Sequence, residues 1–169
     1  MDHEGWYGYG RTQNLDLFGI PRILVPDMME HASFALDEEG SSAFVSGYGI
    51  IVKPKHHSIL TYLAGLLNSA LLNLYLKNVS TTLRGGWFRT FPQFLRQIPI
   101  KLPETAEDKN LADRIVESVR AIMEAKVKLR DDKLSDRERQ SLKGEVESLE
   151  RRIDEAVFRI YGVKGLPGG

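Results

Sequence analysis

Ile98-Pro99-Ile100-Lys101-Leu102-Pro103-Glu104-Thr105-Ala106-Glu107-Asp108 divides the chain into two kinds of sequence. Two prolines in six residues hold the first half of this stretch extended, as an edge strand or an exit segment. Thr105 followed three residues later by Asp108 is a helix start signal of the capping-box type, here with the shorter acid. Everything after it is helical in character. Leu111, Ile115, Val119, Ile122 and Leu129 form an apolar seam interrupted by Lys126, and Arg130-Asp131-Asp132-Lys133-Leu134 is polar and turn-like. Ser135 and Glu138 make a second capping box. Leu142, Val146, Leu149, Ile153, Ala156 and Ile160 then recur at heptad spacing. Two long helices joined by one short loop lie antiparallel, so residues 104–162 are predicted to form an αα-hairpin whose arms reach roughly 35 Å at ~1.5 Å per residue.

Before Pro103 lie most of the aromatic, proline and glycine residues. Arg22-Ile23-Leu24-Val25, bounded by Pro21 and Pro26, reads as a short strand, and Phe34-Ala35-Leu36 as another that ends in the turn Asp37-Glu38-Glu39-Gly40. Ala43-Phe44-Val45 and Tyr48-Gly49-Ile50-Ile51-Val52 continue the series, with Pro54 ending it. Ser58 is placed to cap a helix carrying Leu60, Leu63, Leu67, Leu71 and Leu74 to about Asn78. The expected architecture is therefore α+β. Residues 1–103 form a small mixed sheet with a central helix, residues 104–162 the long antiparallel helical hairpin, and glycine-rich residues 163–169 a flexible tail.

Composition narrows the chemistry. The chain has 169 residues and no cysteine, which removes disulfides, thiolate metal sites and cysteine nucleophiles and suits a reducing cytoplasm. The polar opening Met1-Asp2-His3-Glu4 is unlike a signal peptide. The apolar run Ile59–Leu76 is broken by Asn68, Ser69 and Asn73 and reads as a buried helix, so no membrane association is expected. The net charge of zero conceals a segregation. Residues 1–39 carry two basic and eight acidic side chains; residues 40–103 carry seven basic ones and no acid. A run of that kind points to an anionic partner, or else to a cationic face balanced by the acidic N-terminal third.

Catalytic parts are missing. No glycine-rich phosphate loop occurs, since Arg84-Gly85-Gly86-Trp87 lacks the lysine and the spacing, and there is no serine elbow. His56-His57 is a poor chelate because adjacent rings diverge, and Asp37-Glu38-Glu39 reads as a solvated turn, so no metal site is expected. Phe91-Pro92-Gln93-Phe94 is not the Asn-Pro-Pro-aromatic loop that holds a flipped adenine.

Trp6-Tyr7-Gly8-Tyr9-Gly10-Arg11-Thr12-Gln13-Asn14-Leu15 followed by Pro21-Arg22-Ile23-Leu24-Val25-Pro26 resembles the opening of a DNA target-recognition domain. The family is that of the specificity domains of fused restriction–modification adenine methyltransferases, similar to those of type I specificity subunits. Leu63-Ala64-Gly65-Leu66-Leu67-Asn68-Ser69-Ala70-Leu71-Leu72 resembles its leucine, leucine, asparagine, serine helix. Arg84-Gly85-Gly86 with the aromatic run to Ile98-Pro99-Ile100 resembles its glycine pair and exit strand, and Ile153–Gly162 the end of its helical spacer. The resemblance implies a non-catalytic module that recognises duplex DNA for a methyltransferase domain lying outside this chain. That absent domain, rather than this one, would use S-adenosylmethionine.

On that reading phosphate contacts fall to Lys53, Lys55, Lys77 and Arg96, and base reading to Arg84, Arg89, Arg11, Gln13 and Asn14. Asn68-Ser69 is either a polar pair satisfying nearby backbone or a DNA contact. Trp87, Phe88, Phe91 and Phe94 either pack in the core or stack on bases. The hairpin would dock the catalytic domain or subunit, or pair with a second copy, or pack on its own domain. Two other function classes fit the same residues: a hairpin dimerisation scaffold without nucleic-acid binding, and an RNA-binding module.

Overall fold

The computed structural model describes residues 17–42 and 46–166. Strand β1 (Arg22–Val25) is the centre of a three-stranded antiparallel sheet, flanked by β3 (Ala35–Asp37) and β4 (Tyr48–Ile50). Ile23 faces Leu36 on one side and Ile50 on the other. The pleat sends Ile23 and Val25 into the core, at 0% and 2% exposure. The strand Ala43–Val45 expected from sequence lies outside the described residues. A second, two-stranded ribbon pairs β2 (Met28–Met29) with β5 (Phe88–Arg89).

The single helix expected from Ser58 to Asn78 is two helices. Ser58 sits inside a 3₁₀ turn, Pro54–Ile59, and caps nothing; α1 runs Leu60–Asn68 behind it, and α2 runs Ala70–Val79. They meet at Ser69 with the axis, counted from Pro54, bent by 70°. The leucine spacing passes through the break, but the polar pair marks it. Ser69 is extended, with ψ of 152°; its Oγ donates to Leu66 O at 2.6 Å and accepts from Leu72 N at 3.3 Å, capping α2. Asn68 grips the backbone of Phe34 in both directions, accepting from its N at 3.0 Å and donating to its O at 2.9 Å. Both side chains serve the scaffold, as the first of the two readings held.

The hairpin forms as the heptads and caps require. A short helix α3 (Pro92–Leu95) precedes it. Helix α4 (Ala106–Lys128) starts at the Thr105–Asp108 capping box and α5 (Asp136–Tyr161) at the Ser135–Glu138 box. From the first turns of α5, Arg139 reaches back across the loop, donating to Leu129 O at 2.8 Å and Asp131 O at 3.1 Å. Val146, Leu149, Ile153, Ala156 and Ile160 are buried along α5, and Leu111, Ile115, Val119 and Ile122 along α4. Residues 98–102 leave the sheet side as an extended segment without strand pairing. Tyr62 on α1 donates to Lys101 O at 2.8 Å, and Tyr161 on α5 donates to Pro99 O at 2.6 Å.

The hairpin also packs on its own domain. Helix α1 lies against α4 and α5, α2 lies against α5, and the buried residues form one cluster from Ile23 to Ile160. Among the described residues no single helix is long and apolar enough to cross a membrane.

Candidate nucleic-acid interface

The segment following α2 is a small hairpin. Arg89 N donates to Thr81 O at 3.0 Å, Leu83 N donates to Trp87 O at 2.7 Å, and Thr82 bridges Phe88. Its tip, Arg84-Gly85-Gly86, is a short 3₁₀ turn that needs left-handed backbone at both glycines. Gly85 and Gly86 have φ of 75° and 82°, where a Cβ is strained. Phe88, fully buried, roots the hairpin in the core, and β5 zips onto β2. Thr90 completes the seam: its N donates to Asp27 O at 3.1 Å and its hydroxyl donates to Pro26 O. What remains outside is the tip with Arg84, and Trp87 at 41% and Met28 at 39% exposure. Of the four aromatics with two readings, Phe88 is core, Phe91 and Phe94 stack on one another at 6.2 Å, and Trp87 is free to touch a partner.

The basic candidates divide into groups. Arg84 and Arg89 share this hairpin, and Lys77 lies on α2 just before it, its ammonium 5.8 Å from the Phe88 ring. Lys53 and Lys55 sit exposed at the 3₁₀ turn that leads into α1, and Arg96 follows α3 beside the outer edge of β4, on a cleft it shares with Tyr48, Gly49 and Ile50. The side chains of Lys53, Lys55, Arg84 and Arg96 have no hydrogen-bond or ion-pair partner among the described residues, so their charge is available. Lys101 differs: it donates to Ile160 O at the end of α5 and belongs to the scaffold. Arg11, Gln13 and Asn14 lie outside the described residues.

Residues 40–103 carry no acid, yet the folded surface brings one to them. Asp27 accepts a hydrogen bond from Arg89 Nη1 at 2.5 Å and another from the Tyr48 hydroxyl at 3.4 Å. Burial, and then the Asp27 charge, raise the Tyr48 pKa and keep that hydroxyl a donor. Sequence reasoning missed Asp27 and Tyr48, because Asp27 lies 62 positions from Arg89 and 21 from Tyr48. It also misjudged Asp37. That carboxylate is no part of a solvated turn; it is buried, pairs with Arg22 at 3.4 Å, and accepts from Ser41 N and Ser42 N. Arg22 further donates to Leu17 O, Gly40 O and Ser42 O, so this arginine is a tie for the surrounding loops. Among the described residues no three His, Cys, Asp or Glu are grouped to hold a metal.

Known proteins share the family and the fold of this chain. The family model for the TaqI-like C-terminal specificity domain matches residues 4–100. The Type II methyltransferase M.BanIII of Aneurinibacillus aneurinilyticus is 27% identical over 122 residues, 71% of this chain and 20% of that protein. The type IIL restriction-modification enzyme MmeI, solved in complex with DNA, superposes with a TM-score of 0.65 at 19% identity, over 89% of this chain and 19% of its own. At that identity the match establishes the fold. The chain thus spans about a fifth of the length of the relatives it matches.

Proposed function

The chain belongs to the family of TaqI-like C-terminal specificity domains, and from that premise we propose that it reads duplex DNA for a restriction–modification adenine methyltransferase. The methylating domain, and any nuclease, lie outside residues 1–169. The observation that carries the reading is that the matched region, residues 4–100, takes in the acidic N-terminal third and all but the last three residues of the acid-free stretch, with its basic hairpin. Lys53, Lys55, Lys77 and Arg96 would take phosphates, fixing position without reading sequence. Arg84 and Arg89, with Arg11, Gln13 and Asn14, would meet base edges in the major groove, arginine to guanine and amide to adenine. Supporting this division, Lys53 and Lys55 lie at the 3₁₀ turn, Arg96 after α3 and Lys77 on α2, while Arg84 and Arg89 share one glycine-tipped hairpin.

S-adenosylmethionine belongs to the partner domain. This chain has neither a glycine-rich cofactor loop nor an Asn-Pro-Pro-aromatic loop, so no methyl-transfer step runs through its residues. The long hairpin α4–α5 is assigned to spacing and docking that catalytic domain or subunit.

Fluorescence anisotropy at several salt concentrations tests the reading. The isolated chain is expected to bind duplex weakly, near ~10⁻⁴ to 10⁻⁶ M, with affinity falling steeply as salt rises. Lys53→Ala should weaken all sequences alike and flatten the salt slope by ~1. Binding that ignores salt, or a preference for single-stranded RNA over duplex DNA, would overturn it.

A further inference from the structure

We propose that Asp27 is a specificity-positioning residue: it aims Arg89 so that the free edge of the guanidinium reads a single guanine. The proposal rests on the DNA-reading function above and adds to it a residue from outside the basic stretch.

Two arginine–aspartate pairs in this molecule make the case by contrast. In the Arg22–Asp37 pair both side chains are buried, at 2% and 6% exposure, and the guanidinium spends its remaining donors on three backbone carbonyls. That arginine is structural. In the Arg89–Asp27 pair the side chains are 31% and 32% exposed, and a single bond from Nη1 reaches the carboxylate. The Nε–Nη2 edge of Arg89 meets no acceptor among the described residues. An arginine fork needs two parallel donors to engage O6 and N7 of guanine, and this edge supplies them.

The guanidinium is held on more than one side. Its central carbon lies 5.5 Å from the Phe91 ring, which is itself stacked on Phe94. Asp27 is fixed in turn, since its other carboxylate oxygen accepts from the Tyr48 hydroxyl and its backbone oxygen accepts from Thr90 N. Tyr48 of β4 and Arg89 of β5 therefore meet at this one carboxylate, on the residue just before β2. The charge argument points the same way. A phosphate ligand needs net positive charge, and Asp27 offsets the charge of Arg89. A base edge needs geometry, and Asp27 supplies it.

Selection of bound duplexes from a randomised pool, read by sequencing, tests this on the intact protein. Arg89→Ala and Asp27→Asn are expected to relax the same single position of the selected motif by about tenfold or more, and the double variant to be no broader than Arg89→Ala. Asp27→Glu, which keeps a carboxylate, should partly restore that position. Arg89→Ala should leave the salt slope nearly unchanged, whereas Lys53→Ala flattens it by ~1. Should Asp27→Asn fail to fold, Arg89→Lys, which keeps the charge and loses the fork, is expected to relax the same position. The assignment is overturned if Asp27→Asn leaves the motif intact or weakens every duplex equally, or if Arg89→Lys retains the motif. A wild-type protein that selects no motif and shows no salt-dependent binding would instead end the DNA-reading function itself.

Discussion

A Cβ built on Gly65 would lie 2.3 Å from Ile115 Cγ2 and 3.0 Å from Val119 Cγ2, so α1 approaches α4 as closely as backbone permits. Both obstructing residues are β-branched, and their Cγ2 atoms cannot swing aside without changing rotamer. Alanine at position 65 would gain up to ~1 kcal/mol of helix propensity but meet an overpacking cost of typically ~1–3 kcal/mol. We expect Gly65→Ala to lower the urea midpoint, and Gly144→Ala, where α5 has open space, to raise it. A gain at both positions would mean that α1 and α4 slide apart freely. At this scale the sequence was least legible. Gly65 reads as one more small residue in an apolar run, Asp27 draws no reading of its own, and Asp37 reads as part of a solvated turn, because the arginine partners of both acids are brought to them only by folding.

At the scale of elements, local signals carried far. The capping boxes, the heptads and the loop between α4 and α5 are all short-range features, and each appears where its residues specify. Strand β1 was legible from its two bounding prolines. The division of the central helix was not, since the leucine spacing continues across Ser69 while the backbone does not. The Thr81–Arg89 hairpin, the recognition hairpin of the proposed function, was missed as an element because its pairing is closed by a glycine tip within a run that resembles an ordinary connector. The caps also predict a pH dependence. Hydrogen bonds from the Thr105 side chain and backbone hold the Asp108 carboxyl below its ordinary 3.8, and those from Ser135 hold Glu138 below 4.5. A depressed folded pKa gives stability that is full above the unfolded value and lost as pH falls through the folded one. The double variant Asp108→Asn with Glu138→Gln should therefore melt lower than wild type at pH 7, with the gap narrowing as pH falls below the unfolded values of 4.5 and 3.8. A gap that does not narrow below those values would place the effect elsewhere than in these carboxylates.

For the whole molecule, the sheet, the bent helix pair and the hairpin bury one continuous set of side chains. Leu149, at 9% exposure, lies on the α5 seam, and its replacement by alanine is expected to cost ~2–5 kcal/mol. Because the core is shared, the loss should appear equally in helix ellipticity and in tryptophan fluorescence, which includes Trp87 on the recognition hairpin, as one coincident transition. Separate transitions, or a cost under ~0.5 kcal/mol, would show a hairpin that folds by itself with its seam turned to a partner. The coupling gives the bend at Ser69 a further meaning. Asp154 of α5 accepts a hydrogen bond from Ala70 N at 2.7 Å, so the first turn of α2 is pinned by a helix from the far end of the chain. Helix α2 leads directly into the recognition hairpin and acts as a pointer about 15 Å long, at ~1.5 Å for each of its ten residues. An angular error of roughly 10° at its pivot would carry the far end about 2.5 Å sideways, far outside the tolerance of a hydrogen bond to a base. On the proposed function, the aim of the reading tip is thus set in part at a serine hydroxyl and a remote carboxylate, neither of which has to come near the DNA.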